Sequence, residues 1–289
     1  MSYHTLQKVL VRMLFDEELV EATYRDSAQA LNGLDLTDAE REQLLSVDRR
    51  AWRHDELRRR RTLRTLVDEY KISTTIVLSE TRSLASLERF FSSPFFHAAI
   101  QERGSMCLAF SEFLLDGHER GEWRAPQIPD VVRLEATIAG CRRTLEREGE
   151  YQISELPAMI SDRMRVKLAP GCNVASFQAN VIETIQSVER YLFELSLMPA
   201  MALCDDAPRL TGLPEVEQQK KVYLLFSPGA AGISLTNLDK STFLTLYEMR
   251  RAVEIKSLLV RLGATKEKAV RTQEILSEWL EHGALMIVE

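Results

Sequence analysis

Apolar residues recur at helical spacing over most of the first 115 residues. Thr37 and Glu40 form the pattern of a capping box, because each can bond to the backbone amide of the other at a helix start. Ser93 followed by Pro94 predicts a second start, since proline is favoured at the first helical position. Residues 72–78 are rich in β-branched side chains and fit a strand or a helix. The N-terminal part is therefore predicted to be helical.

Two segments rich in glycine, proline and polar residues interrupt this pattern, at 116–129 and 205–221, and are predicted linkers. Between them the pattern predicts a helix behind a cap at Asp130, a strand at 164–168 and a helix at 177–197. These breaks predict three domains: a helical domain at 1–118, a mixed α/β domain at 127–204 and a third domain at 217–289.

The third domain combines strand and helix signals. A strand candidate at 222–226 is followed by the turn signal Ser227-Pro228-Gly229 and by a second strand candidate at 232–236. Helical spacing then returns, and an apolar, strand-like tail at 284–288 ends the sequence. Two strands, helices and a terminal strand describe a winged-helix-like unit, and such units usually bind a ligand or partner. The fold class predicted for the whole chain is a mostly helical α+β fold.

Charge and composition bear on the kind of partner. The 289 residues carry a net charge of −6 and a pI near 5.6, which argues against binding to nucleic acid. No run of 18 apolar residues occurs, so no membrane span is expected, and the acids after the short apolar run near the N-terminus argue against a signal peptide. A cytoplasmic location is expected, with reduced cysteines. The cysteines are Cys107, Cys141, Cys172 and Cys204.

No set of residues with catalytic or metal-binding spacing is evident. None of the five histidines forms an HxxxH or HxH pair, and none lies three or four residues from a cysteine. The nearest cluster is Glu112, Asp116, His118 and Glu119, which the pattern places at a solvated helix terminus. The sequence between Gly229 and Gly232 lacks the lysine of a phosphate-binding loop. The sequence therefore predicts no catalytic residue, no metal site and no cofactor on this chain.

Four consecutive arginines, Arg58, Arg59, Arg60 and Arg61, are the most marked charge feature. On a helix, successive residues are about 100° apart, so the four side chains point all round the axis. Acids at helical spacing, Asp55 among them, favour a solvated and internally paired helix. The alternative is a basic surface for an acidic partner protein or peptide. Nucleic acid is the least favoured partner, because no aromatic residues are interleaved for base stacking.

Two parts of the sequence resemble known families. Residues 12–52 (RMLFDEELVEATYRDSAQALNGLDLTDAEREQLLSVDRRAW) resemble the helical small-subunit domain of protocatechuate-type extradiol dioxygenases. FSEFLL, PDVVRLEATIAGCRR, MRVKLAP and the Trp-Leu-x-x-Gly-x-Leu pattern that ends the chain follow one another from 110 onward. In that order they resemble the partner proteins of multinuclear non-heme iron oxidases in methanobactin-type and 3-thiaglutamate-type peptide-modifying systems.

The second resemblance implies an accessory subunit. The iron and the oxygen chemistry would lie on a partner oxidase, and this chain would hold a precursor or carrier peptide through a C-terminal peptide-recognition element. In the 3-thiaglutamate system the oxidase excises a carbon from a C-terminal cysteine of the carrier peptide. The family has no catalytic residues in the partner protein, so none is carried over.

Peptide-recognition elements of this kind add an extended peptide to a sheet edge beside a helix. The predicted edge is 232–236, and the predicted flanking helix is 268–281, with Val270, Ile275, Leu276 and Trp279 facing the core. The predicted contacts to the peptide are Ile233, Leu235, Thr236, Lys268 and Arg271. The predicted contacts to the oxidase are Arg58, Arg59, Arg60 and Arg61.

Two other functions stay open at this point. One is a small subunit related to extradiol ring-opening dioxygenases, for which an aromatic substrate and a different large subunit are expected. The other is a winged-helix transcription regulator. Its recognition helix would fall at 265–281, where glutamates balance the cations, which is unfavourable for a DNA groove.

Overall fold

The chain forms a mostly helical α+β fold, as predicted, and contains two small antiparallel sheets. A computed structural model describes residues 3–53, 56–102, 104–149, 161, 163–198, 208–216, 220–230, 232–262 and 266–288. Its contacts divide into two compact units, residues 1–136 with 183–213 and residues 137–182 with 214–289. This division differs from the three predicted domains, since each unit combines segments that are distant in sequence.

The elements follow one another from helices to mixed structure. The helices before the first strand are α1 (Tyr3–Met13), α2 (Glu17–Arg25), α3 (Ser27–Ala30), α4 (Asp38–Ser46), α5 (Arg49–Arg53), α6 (Glu56–Glu69), α7 (Lys71–Thr81), α8 (Ala85–Glu88), α9 (Pro94–Glu102), α10 (Met106–Glu119) and α11 (Ile128–Glu148). The later elements are β1 (Arg165–Leu168), β2 (Asn173–Gln178), α12 (Val181–Ser196), β3 (Lys221–Gly229), β4 (Gly232–Leu238), α13 (Lys240–Glu248), β5 (Val253–Glu254), α14 (Ile255–Arg261), α15 (Lys266–Glu281) and β6 (Leu285–Val288).

Local helix signals place two starts correctly. The Thr37 hydroxyl accepts from the Glu40 amide, and the Glu40 carboxylate accepts from the Thr37 amide at 2.8 Å, so the capping box opens α4. Pro94 begins α9. The predicted cap at Asp130 is wrong, because α11 already begins at Ile128 and contains Asp130.

Buried aromatic rings form the centre of the first unit. The Phe90 ring centroid lies 5.1 Å from that of Phe110 and 5.5 Å from that of Phe96. Trp123 is fully buried, and its indole N–H donates to the Leu114 carbonyl at 2.8 Å. The segment predicted as a linker at 116–129 therefore contributes a core residue, and its first four residues continue α10.

Glu135 of α11 caps the start of α7. The residue before α7, Tyr70, makes no side-chain cap. Instead the Glu135 carboxylate accepts from the backbone amides of Ile72 at 2.7 Å and Ser73 at 3.1 Å, and from the Ser73 hydroxyl. A helix start needs such acceptors because its first amides have no intrahelical partner. The segment 72–78, which fits a strand or a helix by sequence, is helical here.

The second unit contains both sheets. In one sheet β1 lies between β5 and β6, and in the other β3 lies between β2 and β4; all pairs are antiparallel. The predicted strand at 164–168 and the predicted tail strand are confirmed as β1 and β6. The sequence pattern does not predict β2, whose Phe177 falls within the predicted helix 177–197; α12 begins at Val181.

The strand partners differ from those of a self-contained winged-helix unit at 217–289. The tail β6 pairs with β1, whereas the hairpin of β3 and β4 pairs with β2. The tail and the hairpin thus belong to different sheets. Both sheets are completed by strands that lie before residue 217, so residues 217–289 form a compact unit only together with the earlier strands.

The predicted turn at Ser227-Pro228-Gly229 is wrong. β3 continues through these residues to Gly229, and the turn follows. Pro228 is tolerated because it lies two residues past Phe226, which pairs with the first residue of β2. No neighbouring strand of this sheet therefore needs the amide that proline lacks.

Candidate functional site

β4 is a long, exposed edge strand. It is the outer strand of its sheet, and five of its seven residues are exposed while two are half-buried. Its sequence, GISLTNL, contains no charge and no proline. Natural edge strands usually carry charges, proline or a bulge that prevent pairing with another chain. In the described part of the chain, none of these features protects the edge of β4.

Hydrogen-bond alternation identifies the backbone groups that point to the open edge. The Ala179 amide donates to the Lys220 carbonyl at 3.0 Å, next to the β2–β3 ladder. The even-numbered residues of β3 therefore bond to β2, and the odd-numbered ones bond to β4. Since Leu225 pairs with Thr236, the backbone groups of Thr236 are taken by β3. The residues of β4 whose amides and carbonyls face outward are Ile233, Leu235 and Asn237.

Two of the three predicted contacts on β4 thus have open backbone groups. Leu235 is 38% exposed, and Ile233 is half-buried. Thr236 offers an exposed side chain only. Asn237 was missed by sequence reasoning, because the predicted strand ends at 236 and the ladder parity depends on β2. The outward-facing backbone groups of Ile233, Leu235 and Asn237 form the open edge.

The helix that packs against this sheet is α13, not the predicted helix 268–281. The Phe243 ring of α13 lies 4.8 Å from the Tyr223 ring of β3, and Tyr223 pairs with Leu238 at the end of β4. α13 contacts both β2 and β3. α13 begins directly after β4. Asp239, between the two, caps the helix by accepting from the amides of Ser241 and Thr242.

The predicted flanking helix is α15, and it packs against β6. Ile275 and Leu276 are buried in the core, as predicted, and Trp279 packs against it. Val270 is 56% exposed, so its predicted place in the core is wrong. The predicted contacts Lys268 and Arg271 lie on α15, and their side chains are outside the described residues.

Two lysines that sequence reasoning missed lie at the far end of β4. Lys221 begins β3, two residues before the partner of Leu238, and Lys240 begins α13, two residues after Leu238. Both side chains are exposed, and neither pairs with a carboxylate in the described part of the chain. They form the lysine pair, a small positive site on a chain of net charge −6.

The arginine run spreads round α6, as its spacing predicts. Arg58, Arg60 and Arg61 are exposed, whereas Arg59 is half-buried. The Arg59 guanidinium donates to the Phe15 carbonyl and the Glu17 carboxylate, each at 3.4 Å. One arginine therefore stabilises the contact between α6 and the start of α2.

A buried polar network in the first unit was not predicted. Nε2 of His97 lies 2.7 Å from Oδ2 of Asp16, and Nδ1 of His97 lies 3.0 Å from an Arg12 nitrogen. Because a guanidinium only donates, Nδ1 accepts and Nε2 donates. Burial opposes charge on Asp16, but hydrogen bonds from His97, the Leu19 amide and Ser92 hold the pKa of this carboxyl below its usual value. The ring nitrogens are both engaged, so this network holds α1, the start of α2 and α9 together.

The predicted cluster near residue 116 forms a helix terminus. Nδ1 of His118 lies 3.2 Å from the Trp123 carbonyl, and the Asp116 carboxylate pairs with Arg120 at 2.9 Å. Glu112 and Glu119 are exposed. His118 and Asp116 thus bond to neighbours in sequence, and the four side chains are not arranged to hold a metal ion.

Among the residues that the structure describes, no three His, Cys, Asp or Glu side chains are arranged to hold a metal ion. None of the described helices has both the length and the apolar character of a membrane span. Within the described residues, Cys107, Cys141 and Cys172 form no disulfide bond, and Cys204 lies outside the described residues. No protein-family model matches this chain, and no curated protein is significantly similar to it.

Proposed function

We propose that this chain is a non-catalytic accessory subunit that binds a precursor or carrier peptide and presents it to an iron-dependent oxidase. The peptide pairs with the open edge as an additional strand. The oxidase supplies the iron and the chemistry, as the sequence resemblance implies, and the cysteine-carbon excision of 3-thiaglutamate-type systems is the reaction class. The complex forms in the cytoplasm.

The single observation that carries the proposal is the open edge. Ile233, Leu235 and Asn237 each offer one amide and one carbonyl, which together allow up to six backbone hydrogen bonds to an extended peptide. Such bonds supply affinity for many sequences, and alternate side-chain contacts supply selectivity. β4 needs no rearrangement to accept a strand, because its outward groups already lie in a regular ladder.

The oxidase contact is assigned to the arginine run. Arg58 and Arg61 lie three residues apart on α6 and share a face, and both are exposed. Exposed cations steer an acidic partner and raise its association rate, more than they raise affinity. Arg59 belongs to the fold contact with Phe15 and contributes less to this surface.

The test is co-expression of the tagged chain with the proteins encoded by the genes adjacent to its own. The purified complex is expected to contain a second subunit in equal amount, iron on that subunit, and a short peptide identified by mass spectrometry. Leu235→Pro removes one outward amide while the pairing of β4 with β3 is kept. This variant is expected to lose the peptide and keep the oxidase.

Leu235→Ala is the matched control, because it shortens the same side chain and keeps the amide; it is expected to retain the peptide. Arg58→Glu combined with Arg61→Glu is expected to lower recovery of the oxidase and leave the fold unchanged by circular dichroism. A chain that purifies alone with its own metal, or a Leu235→Pro variant that retains the peptide in full, would overturn the proposal.

A further inference from the structure

We infer that the open edge selects an extended peptide in which apolar and polar residues alternate, with an acidic residue at the end that meets the lysine pair. The inference rests on the proposed function and names the class of segment that the site takes. Its parts are the two faces of β4 and the charge at one end of the strand.

The two faces of β4 differ in polarity at residues 233–236. Side chains alternate along a strand, so Ile233, Leu235 and Asn237 lie on one face, and Ser234, Thr236 and Leu238 lie on the other, where Leu238 packs against the core. An added strand places each side chain about 5 Å from the β4 residue directly opposite. Apolar residues of the peptide therefore match the first face, where Leu235 lies beside the buried Phe226.

Polar residues of the peptide match the opposite face. Ser234 and Thr236 are both exposed there, so a side chain beside them keeps its contact with water. Tyr223 belongs to this face, since its ring packs on Phe243 of α13. Lys221 lies two residues before Tyr223 and therefore points to the same face. The polar series of the peptide thus lies beside Ser234 and Thr236 and reaches the lysine pair beyond Leu238.

The charge at this end favours a carboxylate. Lys221 and Lys240 are exposed and have no acidic partner among the described residues. The nearby Asp239 accepts from the Ser241 and Thr242 amides and the Thr242 hydroxyl of α13 and keeps its negative charge, so it offsets one of the two positive charges. Two exposed lysines and one carboxylate leave an excess of one positive charge at the end of an uncharged strand, and this excess attracts an acidic side chain or a C-terminal carboxylate. A basic residue in that position would be repelled.

The probes are fluorescent seven-residue peptides, matched to the length of β4. One alternates glutamate and valine, a second glutamine and valine, and a third lysine and valine. A fourth has the composition of the first with its glutamates grouped before its valines. Binding to the full chain is measured by fluorescence anisotropy at about 0.02 M and 0.2 M salt, because screening weakens exposed charge pairs.

The alternating acidic peptide is expected to bind about tenfold more tightly than the glutamine peptide at low salt, and the lysine peptide to bind most weakly. Grouping the glutamates is expected to cost about tenfold. Lys221→Gln combined with Lys240→Gln should abolish the preference for glutamate and keep the binding of the glutamine peptide. Arg147→Gln, which removes an exposed cation elsewhere, should leave all four affinities unchanged.

Other outcomes separate this inference from the proposed function. If the acidic and glutamine peptides bind equally and Leu235→Pro abolishes the binding of both, the acidic selectivity is overturned. The open edge then remains a peptide-binding site. Acidic binding that survives in Leu235→Pro overturns the inference, because the peptide then contacts the cations without pairing. The inference is also overturned if none of the probes binds. It is overturned as well if sedimentation shows a concentration-dependent dimer that Leu235→Pro abolishes, because β4 then pairs with a second copy of the chain.

Discussion

Glu135 is expected to make the stability of this protein depend on pH. Its carboxylate is buried in the first unit and accepts hydrogen bonds from the Ile72 and Ser73 amides at the start of α7. Burial raises the pKa of Glu135 to about 7, although the hydrogen bonds from Ser73 and the two amides oppose this rise. The perturbation that isolates it is Glu135→Gln, which keeps the shape and one acceptor oxygen and removes the titration.

The sign and size follow from the pKa in the two states. The unfolded carboxyl titrates near 4.5 and the folded one near 7, so the folded state holds its proton over this interval. The stability that the protonated form contributes is fully present below about pH 4.5 and is lost as the pH rises through about 7. At 1.36 kcal/mol per pKa unit, the stability lost between about pH 5 and pH 8 is about 2–3 kcal/mol.

The assay is urea unfolding of the wild type and of Glu135→Gln at several pH values, followed by circular dichroism and tryptophan fluorescence. The stability of the wild type relative to the variant is expected to fall by about 2–3 kcal/mol from about pH 5 to pH 8. Glu112→Gln removes an exposed carboxylate of the same unit and should show no such change. A relative stability of Glu135→Gln that stays constant within about 0.5 kcal/mol over this range would refute the reasoning.

Three further predictions concern the fold. Gly117→Ala places a Cβ 2.0 Å from the Trp123 ring and should cost about 1–3 kcal/mol in urea unfolding, whereas Gly140→Ala, with open space around its Cβ, should not destabilise. Thr37→Ala removes the cap of α4 and should cost about 1 kcal/mol, measured by thermal unfolding, with a serine substitution as control. Burial raises the pKa of Cys141 to about 11, so a disulfide reagent at about pH 8 should modify this thiol rapidly only after unfolding; rapid native reaction would contradict its burial.

The local signal at Thr37 and Glu40 predicts the start of α4 correctly. Thr37 and Glu40 lie three residues apart, so the capping box depends on no distant part of the chain. The position of β2 could not be predicted in this way. Its sequence, NVASFQ, has no strong alternation, and the strand is formed by pairing with β3 about fifty residues later. The turn was misplaced for the same reason. Pro228 is tolerated in β3 only because β2 does not extend beyond the residue that pairs with Phe226.

The candidate site was predicted in part. Ile233 and Leu235 were named from a strand pattern and lie on an exposed edge strand. The flanking helix was not identified correctly, because sequence order does not say which of two helices packs on a given sheet. The lysine pair was missed for a similar reason: Lys221 and Lys240 are 19 residues apart, and only the hairpin register places both near the Leu238 end of β4. Asp16 and His97 likewise meet across 81 residues.

The composition of β4 is itself an argument about function. A seven-residue edge without charge or proline can pair with any extended chain, including a second copy of itself. A single lysine at position 235 would protect this edge at little cost to stability, because that side chain is partly exposed. An edge that lacks such protection is consistent with selection for pairing. The lysine pair then serves two purposes: it attracts an acidic segment, and it repels a second copy in parallel register, whose own lysines would lie at the same end. We therefore expect the Lys221→Gln, Lys240→Gln variant to self-associate more strongly than the wild type as well as to lose its preference for glutamate, and sedimentation at matched concentrations checks this.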